Sequence, residues 1–231
     1  MTPADEAEWI AEAVRRSYRD AEVPWPHRAA GPAPLNEIIS TYSLAHEEVA
    51  GLNHAAASAC LRRWEVHWDD IPEPDPNLAG FLYANSSGGY LFVRRGDIVT
   101  RRRFTAAHEL GHYRLHLAPE LARRGPDDAG MVRIDADISE SDGASLAAME
   151  RQANRFAAEL LMPEGVCRGL VDRYSREYGK VSRFLIHQLA GDLLVSREAI
   201  AWRLYALRLI DEVPRWLSGR RNEDVATGKA S

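Results

Sequence analysis

Residues 104–117 read Phe104-Thr105-Ala106-Ala107-His108-Glu109-Leu110-Gly111-His112-Tyr113-Arg114-Leu115-His116-Leu117. Their apolar spacing predicts a helix, which Pro119 is expected to stop. Within it, His108, Glu109 and His112 make an HExxH pattern. Residues four apart lie roughly 40° apart around a helix axis. Both imidazoles therefore reach one metal ion from a single face, with Glu109 beside them. A catalytic zinc takes three protein ligands and keeps a fourth position open, so a third ligand must come from another segment.

The next strongly helical stretch, residues 145–161, is closed by Pro163 and carries Glu150, 38 positions after His112. Asn154 follows one turn later on the same face, where an amide can hydrogen-bond a ligating histidine from behind. Glu159, nine residues beyond Glu150, projects from nearly the opposite side among Ala157, Ala158, Leu160 and Leu161. The face argument favours Glu150 as third ligand. Glu159 and the loop residues Asp135 and Asp137 are the alternatives. Phe156, Leu160 and Leu161 read as the core face of this helix.

Working outward, residues 5–20 carry a helical pattern that Pro24, Pro26, Gly31, Pro32 and Pro34 interrupt, so residues 1–40 are expected to be a peripheral helix and a Pro-rich linker. A second helix is expected over 45–64, with Val49, Leu52, Ala56, Cys60 and Leu61 as its stripe and Ser43 as cap. Short aromatic and β-branched runs follow at 66–68, 80–83 and 90–93, with Asn85-Ser86-Ser87-Gly88-Gly89 as a turn. These predict a small, mostly antiparallel sheet, hence an α+β fold. Residues 119–143 hold Pro, Gly and acids including Asp127, Asp128 and Asp142, and read as an exposed loop or lid with one short strand at 131–134. A helix is expected over 165–178, then two or three more over 181–217, with Val195-Ser196 as a turn and cap. The domain reading is 1–40, a catalytic body over 41–178, a helix-turn-helix-like extension over 179–217 and a flexible tail over 218–231.

The chain has 231 residues, 45% hydrophobic and 27% charged, with a formal charge of −5, and this argues for a folded globule and against nucleic acid as the partner of its whole surface. Residues 181–221 are locally basic, with seven Arg against four acids. A DNA-binding regulator is therefore the alternative reading of that segment. Arg101, Arg102 and Arg103 read as a solvated surface run. The two cysteines, Cys60 and Cys167, are far apart and suit a reducing compartment. With no signal pattern and no apolar span, the expected location is the cytoplasm, away from any membrane.

The string from Arg103 to Tyr113, and a second, fourteen-position string from Glu150 through Asn154, Phe156 and Glu159 to Met162-Pro163, resemble the ImmA/IrrE family of metallo-endopeptidases. The likeness is good over residues 60–163 and weaker through Leu189, Ala190, Val195, Ser196, Arg203 and Leu204; residues 1–40 show none. The resemblance implies a zincin-like, gluzincin-type site with zinc on His108, His112 and Glu150, and Glu109 as general base. It also implies a protein substrate: a helix-turn-helix transcriptional repressor whose cleavage derepresses mobile-element or stress-response genes. A third reading is a protein that binds such a repressor without cutting it. The family's mode of binding lays substrate antiparallel to a strand, expected near residues 90–93. His116, Tyr113, Tyr174 and Tyr178 are the side chains available to steady an oxyanion, although His116 also fits an ordinary place near a helix C-terminus. The long acidic loop departs from the family pattern and bears on substrate choice.

Overall fold

The structure is a computed structural model, and it describes residues 2–27, 31–68, 77–85, 88–124, 132–133, 143–178 and 183–218. Asp135, Asp137, most of the acidic stretch, Ser86-Ser87 and the tail beyond 218 lie outside the described residues. The chain divides into two compact units, Met1–Trp25 with Ala33–Leu161, and Pro26–Pro32 with Met162–Ser231.

The first unit is an α+β body built on a mixed sheet of order β1-β3-β2-β4, with β1 at Leu44–Val49, β2 at Gly80–Asn85, β3 at Gly88–Arg94 and β4 at Val132–Arg133. β2 runs antiparallel to β3 and β4, and β1 runs parallel to β3. Phe81 faces Phe92 across the β2–β3 pair, their rings stacked 6.0 Å apart. Both join Leu52, Leu61, Trp68 and Tyr83 in one apolar cluster. Such cross-strand aromatic pairs hold the register, because a one-residue slip would turn each ring to the other face.

Several expected elements take a different form. Residues 45–64 are not one helix but β1 followed by α3, His54–Arg62. Gly51 between them has φ 58°, a left-handed conformation that ends any helix, and Asn53 caps α3 by accepting the Ala56 N–H at 2.8 Å. Ser43, expected as the cap, instead has φ 54° and accepts the Gly89 N–H through its carbonyl at 3.1 Å, which starts the pairing of β1 with β3. Residues 66–68 are irregular rather than a strand; Ser58 Oγ donates to the Trp68 carbonyl at 2.7 Å and pins them to α3. The supposed linker contains α2, Leu35–Ser40, with Leu35, Ile38 and Ile39 buried.

α1, Pro3–Asp20, is capped by a reciprocal Thr2–Asp5 pair and is not peripheral. Ile10, Val14 and Tyr18 are buried, α1 packs on α6, Gly143–Leu161, and the Tyr18 hydroxyl donates to the Leu160 carbonyl at 3.1 Å. α4 spans Val99–His112 and passes through one π turn, Tyr113–Leu117, into α5, Ala118–Arg124. Pro119 thus does not stop the helix. A proline clashes with the carbonyl four residues earlier, and the wider turn, closed by the Ala118 N–H on the Tyr113 carbonyl, makes room for it.

The second unit contains α7 at Glu164–Tyr178, α8 at Arg183–Leu193, α9 at Arg197–Ala206 and a short α10 at Arg215–Ser218. α8 and α9 are joined by a tight turn with Leu194 at φ 50° and Ser196 capping α9 through the Ala199 N–H at 3.0 Å. Leu189, Leu193, Ile200 and Leu204 are buried, and Arg203 Nε donates to the Met162 carbonyl at 2.9 Å. Trp202 and Tyr205 lie exposed on the outer side of α9. Among the described residues no helix is long and apolar enough to cross a membrane.

α4 and α6 cross where Gly111 meets Ala153. A Cβ on Gly111 would sit 3.2 Å from both Cα and O of Ala153 and 3.1 Å from a Phe156 ring carbon. The backbones therefore touch with no side chain between them. Gly111→Val should destabilise the fold by about 2 kcal/mol through overpacking, read from urea midpoints. Gly191→Ala, in a helix interior with nothing within 4 Å of the added carbon, should instead stabilise by roughly 0.5–1 kcal/mol.

Candidate metal centre

The α4–α6 crossing brings three of the residues named from sequence to one point. His108 Nε2 and His112 Nε2 lie 3.0 Å apart. Glu150 reaches in from α6, Oε1 at 3.0 Å from His112 Nε2 and Oε2 at 3.4 Å from His108 Nε2. A tetrahedral ion with ligand distances of about 2.0–2.1 Å spaces its ligand atoms about 3.3–3.4 Å apart. The observed edges come close to that figure, so the three side chains could hold a metal ion. Among the described residues no other set of three His, Cys, Asp or Glu side chains gathers its ligand atoms within 4.8 Å.

The protonation pattern fits as well. Asn154, one turn beyond Glu150, presents Oδ1 to His108 Nδ1 at 3.1 Å. An amide oxygen only accepts, so the proton sits on Nδ1 and the Nε2 lone pair is left facing inward. A bare nitrogen lone pair and a carboxylate aimed at one another across such distances call for a cation between them. His112 is only 2% exposed, and burial, reinforced by the neighbouring His108, pushes its pKa down to about 4, which keeps the ring neutral as a ligand must be. The Glu150 carboxyl is held below its usual range, chiefly by the neighbouring His108. Glu150 is also half-exposed, which opens the centre on that side.

Glu109 is 7% exposed and points to the sheet. Its carboxylate lies against Gly80 at the start of β2, where an added Cβ would overlap Glu109 Oε1 and Thr105 Cγ2. Gly80 therefore lets the helix carrying the motif lie on the strand. Its only trace in the sequence is a glycine opening an aromatic run. Glu159, the rival on α6, is not among the gathered ligands.

The oxyanion candidates occupy varied surroundings. Tyr113 packs on Tyr42, ring centroids 5.8 Å apart, and His116 lies 5.7 Å from the His112 ring. Tyr174 belongs to the second unit and donates its hydroxyl to Asp192. The arginine run is structural: Arg101 pairs with Asp97 at 3.2 Å, Arg102 with Glu48 at 3.1 Å, and Arg103 donates to the Ala33 carbonyl at 2.9 Å. β3 is paired on one side by β1 and on the other by β2, so the expected substrate edge at 90–93 is already used. β4 covers only Tyr83 and Ala84 of β2, and among the described residues no strand pairs with the outer edge of residues 80–82.

A neutral, buried His112 has a consequence for the metal-free chain. A histidine whose folded pKa lies below the unfolded value of about 6.5 contributes stability above that value and loses it as pH falls through about 4. Metal-free protein should therefore lose on the order of 3 kcal/mol between pH 7 and pH 4 from this group. Urea titrations at several pH values check this, and His112→Asn should flatten that part of the profile.

A profile of known sequences adds the family. The profile of Peptidase_M78, the IrrE N-terminal-like domain, matches residues 71–205. No curated protein matches the chain. A solved structure described as a Mycobacterium tuberculosis transcriptional regulator is similar at 15% identity with a TM-score of 0.38, covering 85% of this chain and 46% of that one. This chain thus spans less than half the length of that protein. The profile match takes in more than half of the sequence, including His108, Glu109, His112 and Glu150, and the chain belongs to the Peptidase_M78 family of IrrE N-terminal-like domains.

Proposed function

We propose that this chain is a cytoplasmic zinc endopeptidase that holds its metal through His108, His112 and Glu150, uses Glu109 as general base, and cleaves a helix-turn-helix transcriptional repressor. The observation that carries the metal part is the triangle of His108 Nε2, His112 Nε2 and the Glu150 carboxylate, with edges of 3.0–3.4 Å. The family supports the peptidase part. The repressor as substrate rests on the resemblance of the two helix strings.

When bound, zinc supplies a Lewis acid that polarises the scissile carbonyl and makes water more acidic. Glu109, held beside the centre by α4 and backed by Gly80, takes a proton from the attacking water and returns it to the departing amine. No covalent intermediate with the protein forms. Asn154 keeps His108 in the tautomer that faces inward. The outer edge of β2 at residues 80–82 offers backbone groups to an extended peptide, and Gly80 brings that edge against Glu109.

Incubation with helix-turn-helix repressors from the same genome should yield, from one of them, a specific fragment that a chelator abolishes. Glu109→Gln should lower cleavage by about 10²–10⁴-fold while retaining one zinc per chain. A fragment that persists in chelator, or full activity in Glu109→Gln, contradicts the reading.

A further inference from the structure

His112 turns Nε2 to the other two ligands, and its second nitrogen, Nδ1, is buried with no hydrogen-bond partner. A ligating histidine ordinarily donates that N–H to something, and here Asn154 serves His108 only. The neighbouring ring supplies the complement. His116 hydrogen-bonds the main chain of Met149, the residue before Glu150 on α6, and its Nε2 is likewise buried and unpartnered. The two ring centroids are 5.7 Å apart. The two unpartnered nitrogens do not bond each other directly, and that separation suits one bridging water.

The donors and acceptors match. A carbonyl only accepts, so the Met149 main chain fixes the His116 proton on Nδ1 and leaves a lone pair on Nε2. A His112 that offers its Nε2 lone pair to a metal carries its proton on Nδ1. One buried nitrogen therefore needs an acceptor while its neighbour needs a donor. The π turn at Tyr113–Leu117 is what carries His116 on from His112, so a widened turn stands between the two rings.

We infer that His116 is the positioning residue for His112, accepting its Nδ1–H through one bridging water and linking it to the Met149 carbonyl on α6. The inference rests on the proposed metal centre. In it the two ligating histidines have separate supports, Asn154 for His108 and His116 for His112, both reaching to α6.

The test uses the full chain as wild type, His116→Phe and His116→Gln. Zinc affinity is measured by competition with a chelator, alongside the melting temperature of each metal-free form. Wild type should bind one zinc. His116→Phe should bind it roughly 10- to 100-fold more weakly with no fall in metal-free melting temperature, since it removes a buried unpaired nitrogen. His116→Gln, which returns an acceptor oxygen, should recover most of the affinity. With cobalt in place of zinc, the exchangeable His112 Nδ1–H should give a slowly exchanging, shifted proton signal in wild type that exchanges faster in His116→Phe. If His116→Phe melts lower without metal, the glutamine variant decides: recovered affinity supports the inference and its absence overturns it. Equal zinc affinity and unchanged proton exchange in His116→Phe overturn it alone. A wild type that binds no zinc overturns the metal centre and this inference with it.

Discussion

Gly111 lies against the backbone of Ala153, and this contact sets the distance at which α4 passes α6. The four residues around it are the ones the site needs: His108 and His112 on one helix, Glu150 and Asn154 on the other. Metal–ligand lengths tolerate about ±0.2 Å, much less than the width of a methyl group. A side chain at the crossing would push Glu150 away from both imidazoles. The glycine gives up helix propensity of roughly 1 kcal/mol in return for that approach. Gly80 does the same on the other side of α4, bringing β2 against Glu109.

Around this crossing the fold spends its polar groups in a consistent way. His112 is buried and held neutral, His108 is oriented by an amide oxygen, and Glu150 stays ionised on the more open side. α1 braces α6 from behind through Ile10, Val14 and the Tyr18 hydroxyl. The π turn lets one continuous rod carry the motif, His116 and then a proline without breaking. The helices behind the site are thus fixed by apolar packing, while the ligand atoms are fixed by hydrogen bonds.

What could be read from the sequence was what repeats at helical spacing. The HExxH pattern, the face shared by Glu150 and Asn154, the stop at Pro163 and the cap at Ser196 all show their chemistry locally, and the structure has α4, α6 and α9 where those signals lie. Elements decided by distant contacts were not legible. Val49, Leu52 and Ala56 imitate a helical stripe, yet pairing with β3 and a left-handed Gly51 turn the first part into β1. α2 has six residues, too few for a period to emerge. The passage of the helix through Pro119 depends on a change of hydrogen-bond register that composition does not signal. Gly80 and Gly111 gain their meaning only from what lies opposite them. Among the described residues the open edge lies on β2 rather than β3 because strand order, which no local pattern encodes, places β3 inside the sheet.

The central claim is that one metal ion is held jointly by the two helices, and zinc K-edge absorption on the purified protein and on Glu150→Ala tests it most directly. The account predicts one zinc per chain with two imidazole nitrogens and oxygen donors at ~2.0–2.1 Å, and loss or marked weakening of the metal in the variant. Sulfur in the coordination shell, or an unchanged spectrum and affinity in Glu150→Ala, would contradict it.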